Sequence, residues 1–135
     1  MSEEDRVLIL LRDARFILSD AVRWSRGFVL ARTREGTACA PIETRARMFN
    51  VCGALERALF ERGYVSALLD GAPARTLLTD AKTRLSAKVD WRVIDEVIER
   101  AAARMTHAEL LRWFDSVIDF RLRESAAAVA AEVSR

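Results

Sequence analysis

The stretch Ala46-Arg-Met-Phe-Asn-Val-Cys-Gly-Ala-Leu-Glu-Arg-Ala-Leu-Phe60 constrains the fold of this chain more than any other. Met48, Cys52, Leu55 and Leu59 follow one helical row, and Phe49, Gly53 and Phe60 follow the next. A helix apolar over more than one stripe belongs at the centre of a fold, with neighbours on several sides. Gly53 falls inside that stretch, where Gly costs about 1 kcal/mol relative to Ala. Close approach by the backbone of another helix is the return expected for it. The spacing therefore predicts a central helix that Pro41 opens, that runs to about Arg62, and that Gly63 ends.

The other elements are placed around it. Ser2 followed by Glu3, Glu4 and Asp5 is a capped helix start, and Val7, Leu10, Leu11, Ala14, Ile17, Leu18 and Ala21 form a helical stripe. A first helix is predicted over about 3–20. Between residues 24 and 41 the helical period is lost. Phe28-Val-Leu-Ala-Arg-Thr33, a turn at Arg34-Glu-Gly36, and Thr37-Ala-Cys-Ala40 predict a β-hairpin near residues 27–40. An isolated hairpin is marginal in water, so this one is expected to lean on the helices through Trp24 and Phe28. Tyr64–Leu69 reads as one or two helical turns, broken by Asp70-Gly-Ala-Pro73. Leu77, Leu78, Ala81 and Leu85 predict a further helix. Asp90 is expected to cap another, bearing Trp91, Ile94, Val97, Ile98 and Ala101. Thr106-His-Ala-Glu109 matches a capping box, opening a last helix with Leu110, Leu111, Phe114, Val117, Ile118 and Leu122 on one face. Gly and Pro number only five and two among 135 residues, which favours helix over sheet. The expectation is a mainly α fold: one domain over 1–135, a compact bundle of four to six helices with one small hairpin, its end at 124–135 protruding or frayed.

The same residues limit the chemistry. His107 is the only histidine, so a Ser-His-Asp or Cys-His site must use it. Its place in the first turn of the last helix is already explained by capping, and a structural or surface role is expected. One His and two separated Cys do not make a closed zinc set, and no P-loop or G-x-G-x-x-G is present. No catalytic residue, metal or cofactor is assigned. Cys52 is expected in the core, and Cys39 in the hairpin region; both are read as free thiols. The carboxylate pairs Asp95–Glu99 and Asp115–Asp119 are expected on exposed faces, the first in ion pairs near Arg92 and Arg100. Trp24, Trp91 and Trp113 are either core and rim or the lining of a pocket.

Net charge is only +2, too small to mark a nucleic-acid binder. Its distribution is uneven. Residues 21–47 hold Arg23, Arg26, Arg32, Arg34, Arg45 and Arg47 against Glu35 and Glu43. With Trp24 they are the candidate binding residues. They form either a solvated surface or a cluster that draws phosphate or an acidic protein face. The acidic N-terminus does not suit a signal peptide, and no apolar run approaches the ~20 residues of a membrane span, so a cytoplasmic setting without membrane contact is expected.

Three landmarks carry a resemblance. They are Trp24-Ser-Arg-Gly27 before a hairpin with Gly36, then Ala46-x-x-Phe49-x-x-Cys52-Gly-Ala-Leu55-x-x-Ala58, then Thr106-His-Ala-Glu-Leu-Leu-x-x-Phe114-Asp115. Together they resemble a family of small bacterial and phage proteins, domain-of-unknown-function family 6197, over roughly residues 7–122. In that family a Trp-Asn-Asp motif usually precedes the Thr-His pair; here Ala102-Ala-Arg-Met105 takes its place. The resemblance implies the fold and a cytoplasmic context, and supplies no activity. The resulting expectation is a non-enzymatic protein-interaction factor, such as a phage or mobile-element accessory protein. The alternatives are a nucleic-acid-binding protein using the arginines of 21–47, and a small-ligand-binding protein or enzyme with a Trp-lined pocket.

Overall fold

A computed structural model describes residues 2–63, 72–86 and 93–133. The order is α1 (Glu3–Leu18), a 3-10 turn (Ala21–Arg23), β1 (Ala31–Thr33), β2 (Ala38–Cys39), β3 (Ala46–Phe49), α2 (Val51–Glu61), α3 (Ala72–Ser86), α4 (Ile94–Ala103) and α5 (His107–Val133). The protein is mainly α, with a small antiparallel sheet ordered β2-β1-β3. The Tyr64–Leu69 segment, Asp90, Trp91 and Arg92 lie outside the described residues.

Helix α1 starts as its sequence dictates. The Ser2 hydroxyl accepts from the Asp5 amide, the Asp5 carboxylate takes the Ser2 amide in return, and three acids fill the first turn. Its stripe of Val7, Leu10, Leu11, Ala14, Ile17 and Leu18 is buried, against α2, α3 and α5; Ala21, expected on the same stripe, falls in the 3-10 turn beyond the helix end and is exposed. At the surface Arg15 reaches Asp115 of α5 at 2.7 Å and Arg62 reaches Asp13 at 2.6 Å. Such exposed pairs contribute at most about 1 kcal/mol each; burial of α1 holds the bundle. Pro73 sits in the first turn of α3, where its missing N–H costs nothing. The α5 capping box forms as expected: the Glu109 amide donates to Thr106 Oγ1 at 3.1 Å and the Thr106 amide to Glu109 Oε1 at 3.0 Å. Beyond Ile118 the described side chains of α5 are exposed through to Val133.

The central helix is shorter than its apolar rows imply. It begins at Val51, and Ala46–Phe49 is a strand. Residues 41–45 turn, with bonds from the Glu43 amide to the Ala40 carbonyl and from the Ala46 amide to the Glu43 carbonyl. Three effects override the helical reading. Pairing with β1 places Ala31 opposite Phe49 and Thr33 opposite Ala46, and buries all four. Asn50 caps α2 from an extended backbone, its side chain accepting from the Gly53 amide. A third strand also gives the hairpin the partner it lacks as a two-stranded ribbon. Trp24 joins this layer through a parallel bridge to Phe49. Phe28 does not lean on the helices: it is 63% exposed.

Gly53 is explained by close approach, though the neighbour is not a helix. A Cβ built there collides with the backbone carbonyl of Leu30, just before β1. The same carbonyl accepts from the Asn50 amide at 3.2 Å. The chain entering the sheet therefore lies directly on the first turn of α2. Gly53→Ala is expected to destabilise by about 1–3 kcal/mol or more, read as a lower midpoint in urea denaturation; an unchanged midpoint would contradict the packing. Thr106→Ala is expected to cost about 1 kcal/mol, measured the same way.

Candidate functional site

The sheet register decides whether the arginines of 21–47 meet. Arg32 on β1 lies opposite Met48 on β3, and a bulge between Arg32 and Thr33 fits Arg47 into the gap before Ala46. Arg34 follows Thr33, and Arg45 precedes Ala46, so both leave the sheet at the same end. On the other side of β3, residues 24 and 25 run alongside it: Trp24 bridges Phe49, and the Ser25 amide donates to the Phe49 carbonyl at 2.8 Å. Neighbouring strands are about 4.8 Å apart. The topology thus gathers Arg23, Arg26, Arg32, Arg34, Arg45 and Arg47 around the single strand β3.

Their side chains are held in different ways. Arg26 lies over the Trp24 ring with its guanidinium carbon 4.0 Å from the centroid, and Nη2 donates to the Met105 carbonyl at 2.9 Å. Arg23 lies over the Phe49 ring at 5.5 Å. Arg32 Nη1 donates to the Gly36 carbonyl, and Arg47 Nη1 to the carbonyls of Thr44 and Ala46. Carbonyls and rings fix a guanidinium in place but leave its charge unneutralised. Arg45 alone among the six pairs with a carboxylate of the described residues, Glu43 at 3.0 Å. That pairing and a bond from the Ala40 amide hold the Glu43 carboxyl below its usual range, the amide bond being the larger cause. Arg34 is exposed at the tip. Val22 and Phe28, 76% and 63% exposed, lie in the same segment.

Trp24 is buried beneath Arg26, 6.0 Å from the His107 ring, and its indole Nε1 has no partner among the described residues. His107 Nε2 bonds the Leu18 carbonyl at 2.7 Å, tying the start of α5 to the end of α1. Trp113 is half-buried and donates to the Leu85 carbonyl at 3.2 Å. Trp24 and Trp113 therefore occupy separate places, one beneath the arginines and one at the α3–α5 seam. Cys39 and Cys52 are unbridged.

A second feature adjoins the first. A cleft of about 520 Å³ is lined by Phe28, Leu30, Asn50, Cys52, Asp95, Glu96 and Glu99. Glu99 departs from the exposed ion pair that its sequence neighbours imply. It is 3% exposed, and its carboxylate accepts from the amides of Val51 and Cys52 at 3.1 and 2.8 Å. Asp95 is exposed but pairs with Lys82 of α3 at 2.8 Å, and Arg100 pairs with Glu96. The physical reason is the start of α2, where buried amides need acceptors that no preceding turn supplies. A clue existed in the sequence: Glu99 lies between Ile98 and Ala102 on the buried stripe of α4. Burial raises the Glu99 pKa against the lowering effect of the two amides, and burial also raises that of Glu56. The Cys52 thiol is pushed far up by burial and then by Glu99, which leaves it unreactive. Among the described residues, no group of His, Cys, Asp and Glu is placed to hold a metal ion, and no helix is long and apolar enough to cross a membrane.

No family model, no curated protein and no solved structure matches this chain.

Raised folded-state carboxyl values carry a sign. Glu99 and Glu56 favour the folded state most below the ordinary carboxylate range, and that contribution is lost as pH rises through their raised values. The melting temperature of the wild type is therefore expected to fall as pH rises above the ordinary carboxylate range. Glu99→Gln should show a smaller fall over the same range, whatever its absolute stability. An identical fall would mean that Glu99 keeps an ordinary carboxyl.

Proposed function

We propose that this protein is a non-enzymatic interaction factor that binds a partner protein through the surface around β3. The carrying observation is the pairing of β1 and of the Trp24 segment with β3, which sets the stretches that bear six arginines beside one strand, five of the six without a carboxylate partner among the described residues. Unneutralised guanidiniums already fixed in place lose little side-chain entropy on meeting an anionic face. The partner face is protein rather than nucleic acid on this reading. Val22, an aliphatic side chain that cannot stack on a base, stands exposed in the same segment, and the net charge is only +2. The kinship with family 6197, the cytoplasmic setting and the phage or mobile-element accessory role belong to the same proposal.

The test is capture from nuclease-treated lysate of the native host, using the full chain and an Arg32→Gln/Arg34→Gln/Arg47→Gln variant of equal melting temperature as baits. The wild type is expected to retain a protein that the variant loses, with retention falling as salt rises. Capture indifferent to the three substitutions would overturn the reading. Retention of nucleic acid alone from untreated lysate would replace it with nucleic-acid binding.

A further inference from the structure

The six arginines are not equivalent. Arg26 and Arg23 flank Trp24 in sequence, and each lies over an aromatic ring that is itself buried, Trp24 and Phe49. Arg26 is the more constrained. Its guanidinium carbon sits over the indole, 4.0 Å from the centroid, and one N–H is taken by the Met105 carbonyl at 2.9 Å. That carbonyl lies in the link between α4 and α5, so one side chain spans the sheet module and the helical body. A guanidinium has five N–H donors in a planar fork. One donor is used and the guanidinium sits over the ring, and the residue is exposed, which leaves further donors for a partner. Lys at this position would keep the charge but lose both the stacking plane and the fork.

We infer that Arg26, stacked on Trp24, is the specificity-determining anchor of the proposed interface, and that it takes a carboxylate side chain from an acidic, partly apolar segment of the partner protein. This rests on the interaction reading above. The planar edge suits bidentate capture of a carboxylate. Arg23, just before Trp24 in sequence and over the Phe49 ring, is a second positive group for the same segment. Val22, next to Arg23 in sequence, and Phe28, two residues beyond Arg26, are exposed apolar side chains in the same stretch of chain. The charge complement is supplied by the module itself, in which residues 21–47 hold six arginines against two glutamates.

The experiment uses the full chain and a synthetic peptide of about twelve residues carrying glutamates with one Leu and one Phe, a length suited to a short recognition segment. The control peptide has every Glu replaced by Gln. Binding is followed by nitrogen–proton NMR at the Arg26 Nε–H and the Trp24 indole N–H. Saturable shifts at both signals are expected with the acidic peptide and not with the control. Arg26→Lys should weaken binding by about tenfold or more, while Arg12→Lys, at an exposed arginine of α1 outside the proposed interface, leaves it within about twofold. If Arg26→Lys lowers the melting temperature, Arg23→Lys asks the same question over Phe49, with weakened binding expected. Equal binding by wild type and both anchored-site variants would overturn the inference, as would equal binding of the Gln peptide. Tighter binding of a duplex oligonucleotide of matched charge, at the same ionic strength, would also overturn it and identify phosphate as the ligand. Lysate capture separates the two levels. A partner retained equally by Arg26→Lys removes this inference and leaves the interaction reading, whereas capture unaffected by the Arg32, Arg34 and Arg47 substitutions removes both.

Discussion

A helix that starts inside a protein must find acceptors for its first amides, and the beginning of α2 is such a start. Glu99 takes the amides of Val51 and Cys52, and Asn50 takes that of Gly53. Each of these groups also reaches a different part of the molecule. Glu99 brings α4 onto α2. The Asn50 side chain donates to the Gly27 carbonyl at 3.0 Å, and its backbone amide donates to Leu30. Gly53 lets the Leu30 backbone settle on the helix. One turn of helix thus joins α4, the loop before the sheet, and β3. A carboxylate stripped of water is costly unless its oxygens are bonded, and α2 supplies those bonds while Glu99 supplies the acceptors. Removing either side would leave buried polar groups unmet, which is more damaging than the loss of one surface contact.

That junction determines what the sheet can present. The three short strands are too small to stand alone, and they hold their register because Ala31, Ala46 and Phe49 are buried against the helical layer. With the register fixed, the arginines of two strands and of the segment beside them take fixed positions around β3. Positive charge is thereby concentrated on the smallest part of the fold. The bundle beneath it ties its acids into pairs across helices, as Asp13 with Arg62, Asp95 with Lys82 and Asp115 with Arg15. A guanidinium resting on a ring or a carbonyl keeps its charge for a partner.

The sequence was legible where one physical signal dominated. The stripe of α1, the Thr106 capping box and the burial of Cys52 each follow from a local pattern with a single reading. Ala46–Phe49 was ambiguous because Met48 and Phe49 fit helical rows as well as strand alternation, and the deciding contact with Ala31–Thr33 is made between residues distant in sequence. Asn50 carried a usable cap signal, masked by the apolar residues on both sides of it. Phe28 was expected against the helices because an isolated hairpin needs support; the third strand supplies that support, and Phe28 is left exposed beside a cleft. Glu99 was assigned to solvent on the strength of neighbouring arginines, whereas its partners come from residues 51 and 52. Clustering of the arginines could not be read from one dimension, because it depends on β3 lying between β1 and the Trp24 segment.

The start of α2 locks the arginine-bearing sheet to the helical body as one cooperative unit. Native-state hydrogen exchange tests it most directly, by comparing the amides of Thr33, Asn50, Val51, Cys52 and Gly53 with those of Leu55 and Leu11. If the claim holds, the junction and sheet amides exchange through the same opening as the core helices, with the same free energy and the same dependence on denaturant. Exchange of the Thr33 and Asn50 amides through a separate opening, several kcal/mol below that of Leu55 and insensitive to denaturant, would contradict it. The sheet would then be a loosely attached flap, and its arginines would have no fixed arrangement to offer a partner.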